Sequence, residues 1–335
     1  MAVVTTANAI GARESLADVI YRIDPDEVPV LSSLKKGTRK NTLFDWQVQE
    51  LAAATTANAQ PEGATISSYD DNLTTRLQNQ MQIAYKAFKV SDTIDAVDTA
   101  GRERESAYQS LLAGITLRRD IEKILTSDQA KSTTGNRKCA TLSSWITNTS
   151  LGASATANSS FDGDGVDLPV TDATTDSGGD GIADDYGTPR ALSVDLIETV
   201  MQAAYEDGGN PSLMVMSPIQ KRKFSTAAIT SQGTSTINNQ VNMTTPKAGT
   251  SVSSISVFLS DFGQLDTVVD RFMPNERVYL LDPEFAEYVT LPGRDFVKQD
   301  LAKEGDSTRG FVLSEFSMQI SAPKAHGAIY ALTNS

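Results

Sequence analysis

One histidine, His326, and one cysteine, Cys139, are all this chain offers of the two residue types on which most hydrolase and metal sites draw repeatedly. A lone cysteine excludes an intramolecular disulfide framework and any multi-cysteine zinc site. Cys139 therefore reads as a small, reduced, partly buried side chain rather than a reactive thiol. His326 lies in APKAHGAIYAL, beside Gly327 and ahead of an expected strand. Nothing in the sequence points to catalytic partners for it, and a satisfied structural histidine is expected. Asp261-Phe262-Gly263 spells the kinase DFG, yet no Gly-rich loop, VAIK-like strand or HRD loop accompanies it. Walker A, Rossmann and GxSxG patterns are missing as well. In FDGDGVD, Asp162, Asp164 and Asp167 have spacings like those of a calcium loop, but the terminal Glu and flanking helices of an EF-hand are lacking. A solvated acidic loop is the expectation, with a calcium site as the alternative. No catalytic, cofactor-binding or metal-ligating residue is expected, no cofactor, and no enzymatic activity.

The frame around these residues is acidic but unevenly so. The 335-residue chain has a net charge of −13. From Cys139 to Pro189 there is no Lys or Arg, and eight acids (Asp162, Asp164, Asp167, Asp172, Asp176, Asp180, Asp184, Asp185) supply −8 of it. Neither that segment nor the rest has the basic face of a nucleic-acid-binding domain. The length allows two or three domains. No apolar run approaches the ~18 residues of a bilayer span, and the first twenty residues carry an early acid, Glu14, with no unbroken apolar core of a signal peptide. No membrane partner is expected.

Residues 1–40 read as an arm, with a short helix around Arg13 to Ile20. Pro25 and Pro29 then force extended backbone. Lys35, Lys36, Arg39 and Lys40 form a basic cluster, either a solvated face or a docking point for a neighbouring acidic surface. Thr42 to Leu51 alternates, with Phe44, Trp46, Val48 and Glu50 opposite Leu43, Asp45, Gln47 and Gln49. Gln78 to Val90 alternates too, through Met81, Ile83, Tyr85, Ala87 and Lys89. The Ala/Thr/Asn/Gly-rich stretch between them has too few large apolar residues for a core of its own. This pattern predicts a long two-stranded finger, marginal alone and in need of something to lie against. Residues 99–126 predict the longest helix, capped by Asp98 or Thr99, with a stripe of Tyr108, Leu111, Leu112 and Ile115 continued by Leu117, Ile121, Ile124 and Leu125. Arg118 and Glu122 are placed to pair at i, i+4. Further on, Ser193 caps a helix that stops at Gly208-Gly209, a short strand runs from Leu213 to Met216, and Ser217-Pro218 opens another helix. A polar loop, Thr230 to Ser254, precedes a strand-rich end: ISVFLS, LDTVVD, RVYLLD, AEYVTL, FVLSEFSMQIS and GAIYALT.

These pieces, in order, resemble a family of tailed-bacteriophage major capsid proteins long catalogued as a phage protein of unknown function. The matching stretches are IDPDEVPVLSSL, FDWQVQEL, NQMQIAYKAFKVSDT, AGRERESAYQ, LRRDIEKILTS, YEDGGNPSLMVMSPIQK, SDFGQLDTVVDRFMP, VYLLDPE and AKEGDSTRGFVLSEFSM. Leu151 to Pro189 falls outside the resemblance and reads as an insertion.

The resemblance implies an α+β chain with the Hong Kong 97-like capsid fold. Its parts would be an N-terminal arm (1–40), an extended β-hairpin loop (41–92) and a peripheral domain (93–150) with its spine helix (99–126). The acidic insertion (151–189), an axial domain (190–300) and peripheral return strands (301–335) would follow. The implied function is a major capsid protein whose hexamers and pentamers form an icosahedral shell around packaged double-stranded DNA, without sequence-specific binding. The implied location is the virion, with assembly in the host cytoplasm. A portal, a scaffolding protein and a decoration protein are the expected partners. The arm begins at Met1 with no long helical leader, so a separate scaffolding protein is expected. Some capsids of this fold join an extended-loop lysine to a neighbour's asparagine; no lysine lies between Lys40 and Lys86, so no such cross-link is expected. The rivals are an encapsulin-like nanocompartment shell and a secreted, calcium-stabilised β-rich adhesin, which should show internal repeats.

Overall fold

The computed structural model describes residues 26–52, 54–56, 58–63, 73–97, 103–146, 164–166, 190–232 and 256–333. The helix expected at Arg13 to Ile20, most of the acidic segment, and the loop beyond residue 232 lie outside these.

The longest helix, α3 (Glu105–Thr126), is 22 residues long, or roughly 33 Å of rod. It starts six residues later than the sequence predicted. Arg104 is extended, and no side chain of the preceding residue caps the helix. Instead the Ser106 N–H donates to Asp95 Oδ1 at 3.0 Å, from the short helix α2 (Asp92–Ala96). A carboxylate at a helix N-terminus satisfies an orphan donor and suits the helix dipole. Ala113, Leu117, Ile121 and Leu125 form the buried stripe, while Leu111, assigned to it from the sequence, is exposed. The expected Arg118–Glu122 pair does not form: Arg118 lies over the Phe296 ring, and Glu122 turns inward.

Beneath α3 lies a five-stranded sheet of β1 (Lys35–Thr38), β4 (Gln82–Ser91), β9 (Ala286–Thr290), β10 (Val297–Leu301) and β11 (Ser307–Ile320). Along one edge of β11 runs antiparallel β4; its other edge is shared by β10 and then β9. Parallel β1 closes the sheet beyond β9. Phe88, Val90, Val312 and Phe316 from these strands join the α3 stripe in one core.

A second sheet runs in the order β12 (Gly327–Ile329), β8 (Val278–Leu281), β5 (Leu213–Met216), β7 (Gly263–Val269), β6 (Val257–Ser260). Every residue of central β5 and β8 is buried, as continuous apolar runs require. The helices α5 (Val194–Glu206) and α6 (Pro218–Gln232) bring Ile197, Val200, Met201 and Phe224 to its core. Ser193 caps α5 as expected, accepting from the Leu196 N–H at 3.3 Å. A side chain on Gly327 would meet Val200 at 2.2 Å, so only glycine lets α5 sit this close to β12. The last strand thus joins the second sheet, while residues 286–300, which the resemblance groups with α5 and α6, belong to the first.

The finger strands β2 (Leu43–Gln49) and β3 (Thr74–Gln80) pair antiparallel over seven positions. Phe44, Trp46 and Val48 turn inward and their neighbours outward, as the alternation predicted. The second finger strand, read from sequence as one run to Val90, breaks at Met81. Met81 is fully buried, and its N–H donates to the Thr42 carbonyl at 2.7 Å. Beyond it the chain leaves the hairpin and becomes β4 of the body. No helix among the described residues is long and apolar enough to cross a membrane.

Candidate assembly site at the roots of the arm and finger

The proline-rich IDPDEVPVL stretch ends in a five-residue helix, α1 (Pro29–Ser33), with proline at its first turn. So short a helix has no stability of its own. Val30, Leu31 and Leu34 are buried in the main core, and the Glu122 carboxylate of α3 accepts from the Val30 and Leu31 N–H groups at 2.6 and 2.8 Å. Glu122 has no exposure, and burial pushes its pKa up to about 7, against the pull of those two hydrogen bonds. Next, β1 docks the basic cluster against the body. Arg39 donates to Glu287 at 2.9 Å and to Gln319 at 2.7 Å, and Lys35 donates to the Glu284 carbonyl. Part of the cluster therefore serves its own chain, while Lys36 and Lys40 remain exposed.

The finger root is fixed by Asn79. Its Oδ1 accepts from the Ala140 and Gln80 N–H groups, both at 2.8 Å. Its Nδ2 donates to the carbonyls of Met318 at 2.5 Å and Ala140 at 3.2 Å. All the hydrogen-bonding capacity of a primary amide is used, and the residue is fully buried. Beside it the Trp46 ring packs on Trp145 with centroids 5.2 Å apart. Cys139 closes the same corner: it is fully buried, and desolvation pushes its thiol up to about 12. That is more burial than the sequence suggested and leaves no thiolate chemistry.

Buried ion pairs knit the body together. Arg277, at the start of β8, holds Asp128 just after α3 through two hydrogen bonds of 2.5 Å. In β11, Glu315 accepts from Arg137 at 2.9 Å and Arg294 at 2.7 Å. His326 is buried, and its Nδ1 accepts from the Asp282 N–H at 3.0 Å. Its Nε2 has no partner among the described residues, so it is only half satisfied, and burial lowers its pKa to about 4.

Asp261-Phe262-Gly263 forms the β6–β7 turn. Gly263 has φ 148°, and Phe262 packs on Tyr205. No group of three or more His, Cys, Asp or Glu side chains among the described residues could hold a metal ion. Of the calcium-like run only residues 164–166 are described; Asp162 and Asp167 lie outside. There Gly165 accepts from the Lys131 N–H at 2.9 Å, donates to the Ser144 carbonyl at 3.3 Å and sits on the Trp145 ring.

Sequence reading missed Glu122, Asn79 and the Asp128–Arg277 pair. Only Glu122 left a signal, since it follows Ile121 in the buried stripe, where an acid needs a partner. Asn79 looks like any polar residue of an exposed strand, and the ion pair joins positions 149 residues apart.

What this arrangement offers is anchorage: buried polar groups pin two extended segments to a rigid body. The likeness to known proteins agrees. The major capsid protein of Escherichia phage Phieco32 is 25% identical over 349 residues, covering 96% of this chain and 94% of that protein. The fold is shared with the capsid asymmetric unit of cyanophage A-1(L) (TM-score 0.65, 12% identity, 98% of this chain and 99% of that one). It is shared as well with the capsid of a native GTA particle (TM-score 0.61, 11% identity, 98% of both chains). The family model of the SU10 major capsid protein matches residues 3–333, and the chain belongs to that family, making it a major capsid protein of a tailed phage.

Proposed function

We propose that copies of this chain form the hexamers and pentamers of an icosahedral shell around packaged double-stranded DNA. The arm (1–40) ahead of α1 and the finger of the extended loop (41–92), short of its β4 end, would overlap neighbouring subunits. The peripheral domain would be built on α3 and the first sheet, and the axial domain, at each capsomer's centre, on the second sheet with α5 and α6. The observation that carries this reading is the hairpin. Its root is locked by Asn79 and Trp46, yet beyond it Leu51 is 85% and Leu73 81% exposed. Large apolar side chains held out on a fixed lever favour a partner surface over solvent, and in a closed shell that surface is another subunit. The net charge of −13 suits a wall that does not adhere to DNA. A portal, a separate scaffolding protein and a decoration protein would complete the particle, assembled in the host cytoplasm. An encapsulin-like nanocompartment is the weaker reading, because the family and the curated relative are both phage capsid proteins.

Negative-stain microscopy of the purified protein tests the proposal: capsomers or closed particles support it, and a lone monomer overturns it. Asn79→Ala should leave the subunit folded, with its finger amides exchanging faster, and assembly impaired.

A further inference from the structure

The Asp164-Gly165-Val166 turn meets the body at the point from which the finger is held. The Val166 N–H donates to Asp164 Oδ1 at 2.8 Å, and Gly165 takes a φ of 80°, so the turn presents a bare Cα. A Cβ there would stand 2.7 Å from the Trp145 ring and 3.1 Å from the Ala140 side chain. These are the two residues that seat the finger. Trp145 carries the Trp46 ring, and Ala140 is bonded through its N–H and carbonyl to Asn79. Both are fully buried. Lys131 ties the same parts together. Its N–H donates to the Gly165 carbonyl at 2.9 Å, and its Nζ lies 3.4 Å from the carbonyls of both Asp164 and Gln78. Gln78 belongs to β3, one position further out than Asn79. Beyond it Lys324 meets Glu50 at 2.6 Å, a largely exposed pair that contributes little.

We propose that this turn is a brace for the finger: seated on Trp145 and Ala140 and linked to β3 by Lys131, it holds the finger root at one angle to the body. Leverage is the reason a brace matters. Trp46 and Leu77, paired across the hairpin, are where the finger packs on the main core, and a strand advances roughly 3.3 Å per residue. Leu51 therefore lies roughly 16 Å beyond Trp46, and a tilt of about 10° at the root would carry it roughly 3 Å, enough to lose a packed contact. The Trp145 indole is held between the finger's Trp46 and the buried Gly165, and a close-packed interior leaves it no slack to follow a tilt. The acidic segment thereby gains a task its composition does not suggest, fixing where the finger points. The brace is a contact within one chain; only its value to a shell rests on the function proposed above.

Hydrogen exchange of the full-length subunit tests this on peptides from β2 and β3, with one from the buried half of α3 as reference. Lys131→Met keeps the stem and removes the ammonium, and Gly165→Ala forces the turn off Trp145. Relative to the reference, both should lower finger protection by about two- to tenfold, the range of one lost hydrogen bond. Trp46 and Trp145 are the chain's two tryptophans, so the exciton couplet of the paired indoles in circular dichroism reports their mutual angle, and it should weaken in Gly165→Ala. Lys131 is only half-buried, so its variant keeps the test decisive if Gly165→Ala does not fold. Finger protection unchanged in Lys131→Met, or an α3 peptide that loses protection in step with the finger, overturns the brace. All of this is read on the soluble subunit, so a failure to assemble would count against the proposed function and not against the brace.

Discussion

Asp128 and Arg277 face each other through two parallel hydrogen bonds of 2.5 Å at the junction of the two sheets, each side chain 5% exposed or less. One follows the C-terminus of α3 and the other opens β8, so the pair fixes the second sheet to the end of the long helix. A buried pair of this kind gains little over an apolar replacement, but breaking it leaves an uncompensated charge. Arg277→Met should therefore destabilise the soluble subunit by about 3–5 kcal/mol in denaturant unfolding. The double variant Asp128→Leu with Arg277→Met should recover most of that loss. Additive losses would mean that the pair is not coupled as its geometry requires.

His326 gives the fold an acid limit. Folded, it resists protonation down to about 4, against 6.5 for the free side chain, because it is buried and its Nδ1 must accept from the Asp282 N–H. The unfolded chain takes up the proton first, so this contribution is complete above pH 6.5 and is lost as pH falls toward 4. A shift of this size corresponds to about 3 kcal/mol. The melting temperature of the subunit should decline over that interval, and His326→Phe, if it folds, should flatten the decline. An unchanged acid limb in the variant would place the sensitivity elsewhere.

What could be read in the sequence follows a physical division. Period-two alternation in Thr42 to Leu51 and the apolar run Leu213 to Met216 are local signals, and both became strands in the expected place. The Ser193 cap is equally local. Strands without such a signal went unread. Lys35–Thr38 is polar and pairs only because β9 offers a free edge, and Val297–Leu301 is nearly all exposed on β11. The break at Met81 is tertiary as well: its cause is a hydrogen bond to Thr42 and a buried side chain, neither visible in an alternating run. The anchoring groups Glu122 and Asn79 bond to backbone more than 60 residues away, and their own neighbours do not reveal this.

The acidic segment is not uniformly dispensable. Its composition cannot build a core, yet Asp164-Gly165-Val166 docks on the body, and Gly165 has φ 80° with no room for a side chain against Trp145. Replacing residues 147–163 and 167–189 by short Gly/Ser linkers while keeping 164–166 should leave the subunit folded and competent to assemble. Gly165→Val should lower thermal stability, because a β-branched residue there is strained in backbone and displaces a fully buried indole. An unaffected Gly165→Val subunit would show the contact to be incidental. Chelator-sensitive thermal stability, seen only when the whole segment is present, would favour the calcium alternative.

The shell should be held together without covalent bonds between subunits. An isopeptide cross-link needs an unprotonated amine free to reach a neighbour's carboxamide. The finger has none in its outer part, since no lysine occurs between Lys40 and Lys86. Lys86 lies on β4 inside the body sheet, with Nζ 2.6 Å from Asp120 of α3, an ion pair that turns the amine toward its own helix. Lys89 is on the same strand, across from Arg309 of β11, and Arg76 on the finger is a guanidinium, not an amine, and already faces Asp45 at 2.5 Å. Cohesion must then come from buried interface area and interlocked segments, all of it lost in hot detergent. Boiled mature particles should run on a denaturing gel as a single band near 35.9 kDa, and a ladder of multimers would show that an amine elsewhere on the chain had found a partner.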